Sequence, residues 1–523
     1  MKNSANDTHT VLHRFKNFRY GLLVQGIVVG ALAGLVSVLF RLAIENANEV
    51  LSFILSAAGQ NILLMVAWFG VLMIFAVITA KLVRWQPMIS GSGIPQVEGE
   101  IHGVFSQSWW KVLVGKFAGG VLSIGAGLSL GREGPSIQLG AMMGKGFSRM
   151  TKRIKVEEKL LMTCGASAGL AAAFNAPFAG VLFSLEELHK NFSIEVLLST
   201  MAASVTADFI SRNVFGLKPI FSFHLTQNIP LDLYWVILIL GAVLGVGGAL
   251  YNFCIKKSQQ LYGKMKKVRL EFRLMIPFFC AGLLGFTFPA VLGGGNQLIP
   301  MLIDGKFALA MVFAIFLVKF IFSMVSFGSG APGGIFLPLL VLGALLGGGL
   351  GMAMIDGFGL PQDLLQNFII LAMAGFFAAI VRAPITGIIL ICEMTGSFTQ
   401  LLSLTLVSLI AYAVADLLKA KPIYEQLLER IIETNGEKQT AESGGNKILL
   451  EIPVHHGAPI CMKKISEIKW PQQSLIVAVR RGSHEIIPKG TVRIRPGDIL
   501  IVLCNEENSY MAREQIVGWC QTA

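Results

Sequence analysis

Long uncharged windows set the pattern of this chain. Residues 61–80, 160–185, 233–255, 320–355 and 394–415 contain no Asp, Glu, Lys or Arg, and residues 21–43 contain only Arg41. About 20 apolar residues in a helix cross a hydrocarbon core about 30 Å thick, so each window is long enough to predict a membrane crossing. The apolar runs are uneven, and Gly–Pro clusters interrupt them. Backbone broken at membrane depth is tolerated only where it is buried in protein or lines a polar cavity. Helices that start inside the membrane are therefore expected. The first run follows His13, Arg14, Lys16 and Arg19 and lacks a small-residue cleavage site. It reads as the first membrane helix rather than a signal peptide, with residues 1–19 as a cytoplasmic segment. After Tyr424 the pattern changes. Residues 429–447 are polar and read as a linker. Beyond them ILLEIPV and SLIVAVRR read as strands, and KGTVRIRPGDILIVL as strand, Pro–Gly–Asp turn and strand. Residues 448–523 thus form a small α+β module.

Composition agrees with the membrane reading. Hydrophobic residues make up 54% of the 523 and charged residues 14%, against about 25% charged in soluble chains. The net charge of +12 gathers in loops such as Lys145–Lys159 and Lys256–Arg273. The positive-inside rule puts such loops, and with them both termini, in the cytoplasm. Nucleic-acid binding is a poor explanation for them, because they flank membrane spans without interleaved aromatics. The seven Cys are scattered and form no CxxC, so neither a metal site nor a disulfide framework is expected.

An internal repeat carries more information. With a shift of 203 positions, GREGPSIQLGAMMG (131–144) lies on GIFLPLLVLGALLG (334–347), and Lys116–Phe117 on Lys319–Phe320. With a shift of 207, NAPFAGVLFSLEE (175–187) lies on RAPITGIILICEM (382–394). The membrane region, about 20–428, therefore divides into halves of about 20–215 and 230–428. Two similar halves with broken helices is the layout of many secondary transporters.

Pro135 and Pro338 each signal a helix start. A helix amino end offers unpaired N–H groups and about half a positive charge, which suits an anion. Partial charge also suits transport, because conduction needs binding that is favourable yet weak. The repeat sets Glu133 opposite Phe336. A carboxylate there can occupy the place of an anion and, once protonated, leave it. The bland alternative is an acid that stabilises a helix start, but an ionisable residue at membrane depth is a functional candidate by default. GSGIPQVEG (91–99) resembles a third such start, with the Ser92 hydroxyl as a donor or a simple cap. Glu186–Glu187 pair with Glu393–Met394, so Glu187 has no acidic counterpart; its bland reading is an interfacial acid.

GSGIP (91–95), GREGP (131–135), GGIFLP (333–338) and KPIY (421–424) together resemble the signature segments of CLC chloride channels and transporters, in the right order across roughly 20–430. The resemblance implies an all-α polytopic membrane protein with an inverted internal repeat and broken helices, assembled as a homodimer in the bilayer with one pathway per subunit. It implies that Ser92 and Tyr424 give hydroxyls to a central anion and Ile335 and Phe336 give backbone amides. It makes Glu133 the external gating acid, with the backbone of Gly131, Arg132, Gly134 and Pro135 supporting an outer anion site. Glu187 becomes the internal proton-transfer acid. Relatives with both acids are typically proton-coupled exchangers, and those lacking the second are typically channels. Chloride/proton antiport across the cell membrane is therefore expected, with a passive channel of the same fold as the alternative. Nitrate-preferring relatives carry Pro at the Ser92 position and fluoride-specific ones depart from GREGP; neither change is present. Gln96, where Glu is common, is a departure expected to matter little.

The segment VAVRRG to GD, Val477–Asp498, resembles the RCK C-terminal (TrkA-C) domain. Such domains regulate other transporters, and some bind small ligands such as cyclic dinucleotides. Eukaryotic relatives more often carry CBS domains, so this fusion points to a bacterial chain. His455–His456, without further ligands, reads as a surface pair. An organic-anion carrier would need a wider, Arg-lined site, and an enzyme would need a triad, phosphate loop or metal cluster. None of these stands out in the sequence. No cofactor beyond the transported ions is expected.

Overall fold

The computed structural model describes residues 6–59, 61–153, 155–190, 194–217, 221, 223, 229–265, 268–434, 447–471, 474–482, 484–505 and 509–520. The first half comprises α1 (Asn6–Ala58), α2 (Ile62–Trp85), α3 (Ile94–Ile101), α4 (Trp109–Gly125), α5 (Glu133–Met150), α6 (Lys155–Phe174), α7 (Pro177–Phe183) and α8 (Ile194–Phe215). The second comprises α9 (Tyr234–Lys264), α10 (Leu270–Thr287), α11 (Leu298–Ile303), α12 (Leu309–Gly328), α13 (Phe336–Phe358), α14 (Leu365–Val381), α15 (Pro384–Thr395) and α16 (Leu401–Leu417). The two lists correspond helix for helix. The packing repeats as well: α5 on α6 and α1 on α8 are matched by α13 on α14 and α9 on α16. Among the described residues, seven helices are long and apolar enough to cross a membrane.

Three of the uncharged windows are not single spans. The window 160–185 breaks between α6 and α7, 320–355 between α12 and α13, and 394–415 between α15 and α16. The first break shows the cause. Asn175 takes a left-handed φ of 51°, and Pro177 opens α7 after Ala176. Its counterpart Arg382 takes φ 71° before Ala383 and Pro384. A left-handed residue ends a helix by closing its last carbonyls, and the residue before proline avoids helical backbone. Close packing holds the pieces together. A Cβ on Gly140 would collide with the Gly165 carbonyl, and one on Gly165 with the Gly140 carbonyl, so α5 and α6 touch backbone to backbone, as small residues permit in lipid.

The boundary between two compact units falls at Glu429 and Arg430. It lies inside a helix, α17 (Ile423–Thr434), so residues 429–434 are helical rather than linker. Apolar residues at Ile423, Leu427 and Ile431 recur at helical spacing and carry the helix past the polar composition. Residues 435–446 lie outside the described residues.

The C-terminal unit holds a four-stranded antiparallel sheet in the order β1-β4-β2-β3, from β1 (Lys447–Pro453), β2 (Ser474–Arg481), β3 (His484–Ile486) and β4 (Asp498–Asn505), followed by α18 (Ser509–Cys520). Ile452, Val479, Leu500, Val502 and Ile516 form its core. The segment before the Pro496–Gly497 turn is not a strand of this sheet. It pairs with a loop instead, through Met462 N–H to Ile494 O at 2.8 Å and Ile494 N–H to Lys463 O at 3.0 Å. At the ends of the motif, Arg481 donates to both oxygens of the buried Asp498 at 2.7 and 2.8 Å.

Candidate functional site

The centre of the membrane unit is a backbone pairing between its halves. Gly131 N–H donates to Gly334 O and Gly334 N–H to Gly131 O, each at 2.7 Å, an isolated antiparallel bridge. Equivalent residues pairing reciprocally place a local two-fold axis between them. Immediately after, Arg132 and Ile335 cap α5 and α13, which begin at Glu133 and Phe336. Pro135 and Pro338 are third residues of their helices, where no N–H is needed. The first helical bonds are Ser136 N–H to Arg132 O and Leu339 N–H to Ile335 O. The amides of Glu133, Gly134, Phe336 and Leu337 precede them. Two amino ends thus meet at one point.

Four sequence-predicted groups converge there. Ser92 is 2% exposed, held between Gly91 (φ 65°) and Gly93 (φ 96°), the cap of α3. Only glycine fits at position 93, where a Cβ would collide with Gln138. A Cβ on Gly134 would lie 2.6 Å from Ser92 Oγ and 3.3 Å from Gly334 Cα, which puts the Ser92 hydroxyl at the first turn of α5. Phe336 packs among Phe174, Phe183 and Phe377 at 5.2, 5.9 and 4.8 Å between centroids. Tyr424, also fully buried, stands edge-on to Phe183 at 6.2 Å. Its hydroxyl and that of Ser92 have no hydrogen-bond partner among the described residues. Buried hydroxyls are normally satisfied, so both are open to a ligand.

Glu133 is fully buried. Its carboxylate lies against Gly131 and faces the amides of Glu133 itself and Leu337, yet neither oxygen makes a hydrogen bond of good geometry. A carboxyl group is thereby set at the junction of two helix amino ends. On one side lies a cavity of about 230 Å³ lined by Asn48, Ser52, Gly131, Arg132, Asn296 and Leu337. Arg132 at its edge is held by Glu45 at 3.0 Å, and Glu45 also takes Arg41 at 2.9 Å.

Glu187 occupies a π-helical turn, Ser184–His189, that extends α7. It is 5% exposed and its Oε1 has no partner. Glu133, Glu187 and Tyr251 all lie within electrostatic reach of the Tyr424 hydroxyl.

Two pairs of residues support the site without standing out as functional in the sequence. Lys116 and Lys319 are fully buried. Lys116 Nζ donates to Ile89 O and Gly91 O at 2.9 and 2.6 Å, and Lys319 Nζ to Val291 O and Gly293 O at 2.7 Å each. Each lysine clamps the loop that leads into a short broken helix, α3 or α11. Glu186 accepts from Ile385 N–H at 3.3 Å and from Thr386 N–H and Oγ1 at 2.8 Å. Glu393 accepts from Phe178 N–H at 3.1 Å and Ala179 N–H at 2.8 Å. Each acid therefore caps the broken helix of the other half. The signal for both pairs was their alignment across the repeat.

The family model described as Voltage gated chloride channel matches residues 71–416, and that described as TrkA-C domain matches residues 449–517. The H(+)/Cl(-) exchange transporter ClcA of Klebsiella pneumoniae subsp. pneumoniae is 35% identical over 432 residues, covering 81% of this chain and 91% of that protein. The protein of the same name from Vibrio cholerae serotype O1 is 36% identical over 431 residues, covering 80% and 92%. Among solved structures, a slow cyanobacterial Cl-/H+ antiporter superposes with a TM-score of 0.76 at 30% identity, covering 80% of this chain and 99% of the other. A CLC-type fluoride/proton antiporter, at 23% identity and a TM-score of 0.64 over 77% and 97% of the two chains, shares the fold. Broken helices, paired amino ends and these matches agree: the chain belongs to the CLC family of voltage gated chloride channels and their transporter relatives, with a TrkA-C domain at its C-terminal end.

Proposed function

We propose that this protein exchanges chloride for protons across the cell membrane. One observation carries the reading: a buried carboxylate, Glu133, sits without a hydrogen bond of good geometry among the described residues where the amino ends of α5 and α13 meet. Deprotonated, Glu133 fills the outer anion position beside the amides of the Gly131–Pro135 segment and blocks the path. Chloride arriving at Ser92 Oγ, Tyr424 OH and the amides of Ile335 and Phe336 competes for the same partial positive charge. Protonated, Glu133 loses its attraction to the helix ends and swings away, and the anion takes its place. The proton it carries exchanges with Glu187 past Tyr424. Glu133 thus acts as gate and proton carrier, and the partial charges of helix amino ends keep chloride binding weak enough for release.

The functional unit is a homodimer in the bilayer with one pathway in each subunit and both termini in the cytoplasm. Phe178 and Ile385, at the reciprocally capped ends of α7 and α15, are exposed apolar residues and suit such a contact. The TrkA-C domain regulates transport by binding a small ligand of the cyclic dinucleotide kind; titration calorimetry of the whole protein with such nucleotides reads this directly.

Reconstitution in liposomes tests the exchange. A chloride gradient should drive proton movement in the parent protein. In Glu133→Ala chloride should still pass while proton movement falls to background, and in Glu187→Gln proton movement should fall with chloride passing. A parent protein that passes chloride with no coupled protons would be the passive channel.

A further inference from the structure

The Tyr424 hydroxyl has no hydrogen-bond partner among the described residues, so the backbone beneath the ring sets its height. That backbone is short. α16 ends at Leu417, Lys419 turns the chain with φ 53°, and Tyr424 is the second residue of α17. Three consecutive carbonyls of the turn are tied down. Ala420 O accepts from Arg382 Nη2 at 2.9 Å, Lys421 O from Asn252 Nδ2 at 3.0 Å and Pro422 O from Gln426 N–H at 3.1 Å. Asn252, in α9, is 2% exposed. Its Nδ2 also donates to Ile380 O at 3.0 Å, one of the last carbonyls of α14, which no helical N–H can reach. Two carbonyl acceptors at that end fix it as the NH2 of the side chain. Gln426 Nε2 in turn reaches Asn252 O at 3.4 Å. Tyr424 is thus bracketed, three residues before it and two after, by bonds to one buried asparagine.

We propose that Asn252 is a positioning residue for the central anion, which fixes the Tyr424 hydroxyl relative to the amino end of α13; the inference rests on the reading of Tyr424 as a donor to chloride. The second partner of the clamp shows how. α14 carries Phe377, which packs on Phe336 at 4.8 Å, and Phe336 opens α13. One side-chain amide therefore links the turn that leads to Tyr424 with the helix that backs Phe336. A hydroxyl and a backbone amide serve one ion only while both keep hydrogen-bond distance and direction, and such bonds weaken steeply outside a narrow geometry. Without Asn252 Nδ2 two buried carbonyls lose their partner, a costly state, and the turn shifts to relieve it, taking the hydroxyl with it. Arg382 does not replace the lost bonds, because its Nη1 is spent on Tyr412 O and its Nη2 on Ala420 O. An asparagine that only holds the fold would act with or without the Tyr424 hydroxyl. A positioning asparagine acts on chloride through that hydroxyl alone.

Calorimetric titration of chloride into the full-length protein in detergent tests this with Asn252→Leu, Tyr424→Phe and the double variant. Each single change should weaken chloride binding by about tenfold, the worth of one hydrogen bond to a charged group. The double variant should bind no more weakly than Tyr424→Phe alone. Gln426→Leu is milder, since it spares Asn252 Nδ2. It should show a smaller loss that also vanishes in the Tyr424→Phe background, and it decides the matter if Asn252→Leu does not fold. Unchanged chloride affinity in the folded variant overturns the proposal. So do losses that add in the double variant, which would mark Asn252 as structural. Unchanged affinity in Tyr424→Phe would remove Tyr424 from the anion site, and this inference with it.

Discussion

Glu133 and Phe336 occupy one position in two halves of a repeated fold. The backbone around them is the same: a glycine bridge, a capping residue, a helix start and a proline at the third helical position. Only the side chains differ. The lysine clamps and the carboxylate caps tell the opposite story, since Lys116 matches Lys319 and Glu186 matches Glu393 in partner type and geometry. Residues that hold the fold are duplicated, and residues assigned to transport break the symmetry. Glu187 opposite Met394 follows the same division.

The largest expected effect comes from disturbing the asymmetric centre through a symmetric residue. A Cβ on Gly131 would collide with the Glu133 carboxylate, whereas one on Gly334 would meet backbone atoms at 3.1 Å and beyond. Displacing a reacting group by about an ångström can cost on the order of a hundredfold. Gly131→Ala should therefore lower coupled proton flux in liposomes by about that factor, and Gly334→Ala by much less. Equal losses would mean that the bridge, rather than the carboxylate, is what the first change disturbs.

Next come the lysines. Lys116→Met or Lys319→Met leaves two buried carbonyls unpaired, at about 2 to 4 kcal/mol in total. Thermal unfolding in detergent should show comparable losses for the two, and a loss confined to one would break the symmetry argument. The smallest effect belongs to the caps. Glu186→Ala and Glu393→Ala should each cost about 1 to 2 kcal/mol by the same measurement. Glu393→Ala should leave the ratio of protons to chloride intact, because its carboxylate caps α7 and takes no part in the proposed proton path.

Much of this was legible in the chain because duplication exposes itself. The shift of 203 aligned the two helix starts, and the shift of 207 aligned the two broken helices, before any coordinates. Yet the functional weight of the pairs was not. Lys116 and Lys319 matched as letters, but their carbonyl partners lie 25 to 28 residues away along the chain, and a backbone acceptor leaves no mark in a sequence. Glu186 meets Thr386 across 200 residues for the same reason. Composition misled in two places. The polar letters of residues 429–434 hid the second half of α17, whose apolar positions recur from Ile423 to Ile431. In the C-terminal unit the alternation before Pro496 resembled a strand, but its hydrogen bonds go to a loop, and alternation alone does not name the partner.

The bridge between Gly131 and Gly334 has a consequence for how such a site changes over time. Its two hydrogen bonds belong to the main chain, so they do not depend on the chemistry of any one side chain. The meeting point of the two amino ends is thereby insulated from sequence drift. Under the proposed antiport reading, Ser92, Glu133 and Glu187 are the places where ion preference and coupling would change one residue at a time, on a frame that does not have to be rebuilt at each step.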